Sequence, residues 1–405
     1  MYPKLKYHCY AQQNITNTTY KLDEILPHKI KFRNNEVLQI DPKENLLTGT
    51  ESLRQTYDKL IIASGLEPDY SDVPGLLYSL QDDSDPIFTS YEYETVIPKF
   101  CIYSAALINR IKHDYGKNLS KRNLNFLENG DGNIVFANVS SDFYDILENM
   151  QMIILLYDFI LKYRKKEFLD KLNFIICLPV SKINFSLNNK HISTYFIDCL
   201  NERNIKINWN YELKEVNQNN ILKFKVGDVN DQKNLSSSKK TSKDVKNYLD
   251  VEYNFAFVIP TLALPSYVRY SPLFSQDNKI DFDNEKLKMN NYKNIFLLGD
   301  SLKGNFFLDR FYTNILTQSH IISNNLKEEH FRLGKSYLKD YIPKNKIFFD
   351  FLANYYLLFD TSNGDQELMK KNIWNNFLFK HFYFRPEGFY SQRLLLKKKF
   401  GFTRF

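Results

Sequence analysis

Glycine, cysteine and long apolar runs are all scarce in this chain, and each shortage closes off a class of function. Its 405 residues include 13 glycines and a single Gly-x-Gly, Gly130-Asp131-Gly132. A dinucleotide fingerprint needs Gly-x-Gly-x-x-Gly directly after a strand, because glycine alone lets a pyrophosphate approach backbone N–H groups at a helix N-terminus. Here the pair precedes a strand-like run, and Val135 stands where the third glycine would be. The four cysteines, Cys9, Cys101, Cys177 and Cys199, show neither CxxC nor metal-ligand spacing, which excludes a disulfide framework of the secreted type. Cys177 lies in the apolar run Phe174 to Leu178 and reads as a small buried hydrophobe. The seven histidines (His8, His28, His113, His191, His320, His330 and His381) are scattered; without HxxxH or HExxH a metal site is not expected. No GxSxG, P-loop or clustered carboxylate pair stands out. No apolar run reaches the roughly 18 residues that span a bilayer; the longest, Met152 to Leu161, contains Asp158. The N-terminus has no secretory h-region and too few Arg and Ser for a transit peptide.

Aromatics are plentiful, with 33 Phe and 28 Tyr, and the length suffices for more than one sizeable core. The net charge of +7 is modest, and the basic excess is concentrated at the C-terminus. Near the start, Lys29 to Phe32 and Val37 to Ile40 read as strands before the turn Asp41-Pro42. Residues 76–130 read as loop-rich with one helix over about Ser104 to Tyr115. Gly132 to Phe136 starts a strand. Phe143, Ile146, Leu147, Met150, Ile154, Tyr157 and Ile160 then recur at helical spacing. With the strand Asn173 to Leu178 this makes a βαβ unit over 132–179 and implies a parallel sheet. A helix over Ser193 to Asn204, a strand over Ile205 to Trp209, and strands at Leu213–Val216 and Leu222–Val226 follow. Residues 227–246 are polar and low in complexity, expected to be a mobile loop. Asn254 to Pro260 is expected to return the chain to the first sheet, and Phe306 to Asn325 reads as helical.

Two stretches organise the rest. Asn294-Ile-Phe-Leu-Leu-Gly-Asp-Ser301 is a short buried strand, a glycine turn and a carboxylate at the strand's C-terminal end, where open α/β sheets bind ligands. Tyr57-Asp-Lys-Leu-Ile-Ile-Ala-Ser-Gly65, followed by Val73-Pro74-Gly75, is a second buried strand ending in small residues. Together they resemble the flavoprotein family with two dinucleotide-binding domains. That family includes disulfide reductases, type-two NADH dehydrogenases and sulfide:quinone oxidoreductases; Ser64 stands where it usually has Thr. Collinear features resemble the mitochondrial-type sulfide:quinone oxidoreductases in particular. They are the strand-helix of 132–164, the strand ending at Pro260 with Pro265 close behind, and the closing Trp374-Asn375 and Gly388 to Phe400.

The resemblance implies an α/β, Rossmann-like FAD/NAD(P)-binding fold with two interleaved sheet domains. The first βαβ unit is missing, because Met1 corresponds to a point well inside the family's first domain. Residues 1–128 and 247–330 would form the truncated FAD-binding-like domain and 129–246 the NAD-binding-like domain. Residues 331–405 would be an aromatic and basic segment for membrane or partner contact. If FAD were retained, it would touch Ala63, Ser64, Gly65, Gly299 and Asp300.

The sequence also departs from the family. Sulfide oxidation there uses cysteines beside the flavin, expected near Asp145 or Ile146 and near Leu338. No cysteine occurs between Cys101 and Cys177 or after Cys199, so no catalytic residue is assigned. Bulky Phe306, Phe307, Leu308 and Phe311 follow the Gly-Asp where the family has small residues, and Asp300 is expected to act as a helix cap. Residues 370–405 carry nine basic side chains against Glu387 alone, with apolar residues interleaved. Ile373, Trp374, Phe377, Phe382, Arg393, Lys397, Lys398 and Lys399 therefore suit a membrane surface or a partner, with nucleic acid a weaker reading. The expectation is a protein without cofactor or metal, an accessory subunit of a mitochondrial inner-membrane complex of respiratory-chain type. The alternative is an FAD-dependent, quinone-reducing enzyme acting on a substrate other than sulfide, with its ADP-binding unit supplied by another chain.

Overall fold

The structure is a computed structural model. It describes residues 26–27, 29–91, 96–107, 121–182, 190–227, 248–273, 281–302 and 312–331, and the backbone of 346–352, 355–360 and 366–370. In chain order the first elements are β1 (Val37–Asp41), β2 (Leu46–Gly49), β3 (Arg54–Thr56), β4 (Leu60–Ile62), β5 (Glu67–Asp69), α1 (Leu76–Gln81), β6 (Ile87–Phe88), α2 (Val96–Leu107) and α3 (Lys121–Asn129). Next come β7 (Gly132–Asn138), α4 (Phe143–Tyr163), α5 (Lys166–Leu169), β8 (Leu172–Leu178), α6 (Lys190–Glu202), β9 (Lys206–Trp209), β10 (Tyr211–Asn217), β11 (Ile221–Val226), β12 (Tyr248–Glu252) and β13 (Phe255–Ile259). The last are β14 (Thr261–Ala263), α7 (Ser266–Arg269), β15 (Phe282–Asp283), β16 (Lys288–Met289), β17 (Ile295–Leu297), α8 (Tyr312–His330), β18 (Lys346–Leu352), β19 (Tyr355–Asp360) and β20 (Gln366–Lys370). β18, β19 and β20 form a sheet in that order.

The chain makes two compact units, one centred on Pro68–Thr261 and the other on Tyr20–Glu67 with Leu262–Phe349. The first holds a sheet of order β6-β13-β7-β8-β9, whose described pairings are all parallel. The βαβ unit of 132–179 is present, because α4 keeps its apolar face on β7 and β8. Right-handed crossovers leading the same way, β7 to β8 and β8 to β9, put α4 and α6 on one face. The β10-β11-β12 meander packs on β7 and β8 and takes the other. All five residues of β13 are buried, so this strand is covered on both faces.

Some expectations change here. Phe255–Ile259 does not return to the other sheet but lies between β6 and β7. A strand apolar on both faces suits any central position, and its partner is set by contacts distant in sequence. Consequently 68–128 and 247–261 fold with 129–246, and the boundary expected at 128/129 falls inside this unit. Of the helix expected over Ser104 to Tyr115, Ser104 to Leu107 belong to α2, which begins earlier, at Val96, and 108–120 lie outside the described residues. Lys29 to Phe32 is not a strand.

The core on the helix face is aromatic. Phe88, Phe100, Tyr103, Phe136, Phe255 and Phe257 meet with ring centroids from 4.8 Å (Phe88–Phe255) to 6.2 Å (Phe136–Phe255). At the amino edge of this sheet a lysine is buried. Lys99 Nζ donates to the carbonyls of Ser79 and Leu80, at 3.4 Å each, and of Asp82, closing the last turn of α1. Burial pulls its pKa down to about 8, against the pull of Asp85, Asp82 and Asp83. Burial also raises Asp85, although Tyr253 Oη donates to its Oδ1 at 2.7 Å.

In the second unit, β1, β2 and β3 form an antiparallel meander, and β15, β16, β17 and β4 form a sheet in that order, β17 and β4 parallel. Ile40, Ile62, Val268, Leu287, Met289, Ile295, Leu297 and Ile322 are among the buried residues of its core. The helix expected from Phe306 runs from Tyr312 to His330, and 303–311 lie outside the described residues. Glu329 near its end bonds to both Lys59 (2.5 Å) and Lys288 (2.7 Å). Burial opposes its ionisation, but these two lysines carry its pKa below the usual value. Among the described residues no helix is long and apolar enough to cross a membrane.

Candidate functional site

Parallel pairing of Leu60, Ile61 and Ile62 with Ile295, Phe296 and Leu297 brings the two organising stretches to one sheet edge. Ala63, Ser64 and Gly65 leave β4 there, and Leu298, Gly299 and Asp300 leave β17 beside them. The five residues named from sequence are thus brought together. Gly65 and Gly299 have φ of 74° and 68°, in the left-handed region that glycine tolerates and other residues resist. Both turns aim a backbone N–H toward the edge, and both N–H groups already have partners. Gly65 N–H donates to Ser301 Oγ at 3.1 Å, and Gly299 N–H donates to Gln318 Oε1 at 2.8 Å. Ser301 and Gln318 are fully buried (each 0% exposed). Asp300 is half-buried and is the second residue of a 3-10 turn over Gly299–Leu302, and 303–311, where a helix for it to cap was expected, lie outside the described residues. Ala63 and Ser64 are exposed.

Sequence reasoning missed Gln318. Its signal was available: Ile315, Gln318 and Ile322 share the spacing of one helical face, and a polar residue in an apolar stripe asks for a partner.

The first unit has a comparable edge. Strand order runs from β7 outward through β8 to β9 on one side, with β13 and β6 on the other, so the topology reverses next to β7. In open α/β sheets the crevice at that reversal is where ligands bind. The turn from β7 into α4 reads Asn138-Val139-Ser140-Ser141-Asp142-Phe143 and contains no glycine. Asn149 Nδ2 donates to Asn138 Oδ1 at 2.8 Å, and both side chains are completely buried. Val139 N–H donates to the Ile259 carbonyl at 3.0 Å, and Asp142 N–H to Ser140 Oγ at 2.9 Å. Asp145 stands in the first turn of α4, buried. Carboxylates there suit the positive end of the helix dipole and repel a phosphate in the same place.

The Gly130-Asp131-Gly132 pair serves packing. Gly130 has φ of 75°, and a Cβ on Gly132 would run into the Asn254 side chain. Cys177 is buried, its thiol pushed up to about 12 by burial, and Asn208 donates to it at 3.6 Å; it is not a reactive thiolate. Cys199 is also buried. His320 is exposed and bonded to Asn324. Among the described residues no group of metal-ligating side chains could hold an ion. Ile373, Trp374, Phe377, Phe382, Arg393, Lys397, Lys398 and Lys399 lie outside the described residues, as do 228–247, most of the expected loop.

Solved structures share this fold. A chain of the mitochondrial ATP synthase of Tetrahymena thermophila is 16% identical and matches 93% of this chain and 81% of its own length, at a TM-score of 0.64. The sulfide:quinone oxidoreductase of the hyperthermophilic bacterium Aquifex aeolicus is 15% identical, covering 99% and 87%, at 0.66. NDH2 of Plasmodium falciparum is 12% identical, covering 98% and 91%, at 0.65. No protein-family model and no curated protein matches the sequence. The fold is that of the FAD/NAD(P)-binding, pyridine nucleotide-disulfide oxidoreductase-like proteins; identities this low establish the fold and nothing finer.

Proposed function

We propose that this chain is a catalytically inactive relative of the sulfide:quinone oxidoreductases that serves as an accessory subunit of a mitochondrial inner-membrane complex, peripheral to the membrane and without a bound cofactor. One observation carries the reading. The two glycine turns that would present N–H groups to a flavin at the β4/β17 edge give those groups to Ser301 and Gln318 instead. A flavin would have to displace two fully buried side chains and leave their polar atoms unpaired, at a cost of about 1–3 kcal/mol each. The residues present therefore do not fit FAD. The absence of cysteine at the expected redox positions points the same way. The mitochondrial setting draws support from the likeness to a chain of a mitochondrial ATP synthase, and the membrane contact from the basic, aromatic residues 370–405.

A second reading, an FAD-dependent quinone reductase completed by another polypeptide, is favoured by the retained positive φ of Gly65 and Gly299. One measurement separates the two. The absorption spectrum of the purified protein is expected to be flat near about 450 nm, where oxidised flavin absorbs, before and after incubation with FAD. A flavin band that co-purifies, and is lost on Gly299→Val, would reverse the assignment.

A further inference from the structure

We infer that the carboxyl edge of the first unit's sheet binds ordered water between Asn138, Asn149 and the hydroxyls that follow β6, and that this water completes the closure of the β7 edge. The two amides satisfy each other only by half. Asn149 Nδ2 donates to Asn138 Oδ1, while Asn138 Nδ2 and Asn149 Oδ1 are buried with no hydrogen-bond partner among the described residues. Turning both amides over leaves the same remainder, one donor and one acceptor.

The hydroxyls of Thr89 and Ser90 are in the same condition, buried and unpaired. Strand register brings them to this edge. Phe88 of β6 is level with Phe257 of β13, and Phe257 with Phe136 of β7. Thr89 and Ser90 therefore leave β6 at the height where Ala137 and Asn138 end β7. The next residue reaches α4: Tyr91 Oη donates to Glu148 Oε2 at 3.3 Å, one position before Asn149. Leaving a buried polar group unpaired is costly, so four such atoms at one edge call for a ligand.

Chemistry selects which ligand. An anion could take the Asn138 donor but would face Asn149 Oδ1, and Asp142 and Asp145 at the start of α4 would repel it. A cation fails in turn at the Asn138 amide hydrogens. The occupant is therefore neutral and both donates and accepts. It is also small, because Asn138 and Asn149 are 0% exposed. Water meets all three conditions, and a buried water makes about three bonds to groups of this kind. The amide pair supplies two of them, and a hydroxyl of the chain leaving β6 supplies the third.

Hydroxyl deletions test the site by their sign. A hydroxyl bonded to water loses that bond on Thr89→Val or Ser90→Ala, so the denaturant midpoint of the full-length protein is expected to fall in both variants. Deleting an unpaired buried hydroxyl would raise it instead. Neither replacement adds bulk, and unchanged circular dichroism checks the fold. A crystal structure of the same protein is expected to show solvent within about 3.2 Å of Asn138 Nδ2 and Asn149 Oδ1. That solvent should be lost in the double variant Asn138→Leu/Asn149→Leu, which leaves no amide behind. A midpoint that rises or stays unchanged in the hydroxyl variants, a dry contact between the amides and their neighbours, or density too large for water would each overturn the inference.

Discussion

The carboxyl edges of the first unit's parallel sheet and of the parallel β4/β17 pair are closed in opposite ways. At the β4/β17 edge the backbone still has the shape for a ligand, two glycines at positive φ, and only the side chains of Ser301 and Gln318 occupy its donors. At the β7 edge the backbone itself has changed: no glycine remains in 138–143, and a buried pair of amides fills the turn. The first closure is a matter of one hydrogen bond per turn. The second is built into the packing of β7 against α4, and no single substitution restores a cradle there.

Substitutions that disturb each unit should separate these two designs by size of effect. The largest is expected at the amino edge of the first unit, where polar groups are again buried inside the packing. Lys99→Met removes the cation that holds three carbonyls and faces Asp85. It should destabilise the protein by about 3–5 kcal/mol, read from denaturant unfolding. The same residue sets a pH dependence. Its folded pKa of about 8 lies below the ordinary 10.5, so between those values the unfolded chain holds the extra proton. Stability from this group should therefore rise with pH across that window, and the rise should vanish in Lys99→Met.

Asn149→Leu comes next, at about 1–3 kcal/mol, since it strands the Asn138 amide inside the protein. A loss below a few tenths would mean the amide pair is not what closes the β7 edge. Gln318→Ala should cost least, about 1 kcal/mol, because water can reach the freed Gly299 N–H once the side chain is gone. If the two edges differ as described, Gln318→Ala keeps native circular dichroism while Asn149→Leu lowers the unfolding midpoint clearly. Equal losses would erase the distinction.

How much of this was legible in the sequence depends on the range of the cause. α4 and its flanking strands were readable because Phe143 to Ile160 repeat at helical spacing and Gly132 and Asn173 open runs of apolar residues, all local signals. The meeting of Gly65 with Gly299 was readable because two similar strand-turn stretches mark one edge. The place of β13 was not, since Phe255 to Ile259 is apolar on both faces and pairs with residues more than a hundred positions earlier. Nor were the roles of Asn138 and Asn149: nothing local marks either of them, and only the fold shows that they meet.

The position of β13 also has a consequence for how the protein is made. This inner strand of the sheet is the last of its strands to be synthesised, so β6, complete by Phe88, waits for Phe255 to Ile259 before it has a neighbour. During that wait β7 shows the nascent-chain environment an apolar, unpaired flank. Stalling or premature termination anywhere between these points should leave a sticky fragment that depends on chaperones and is cleared by proteases.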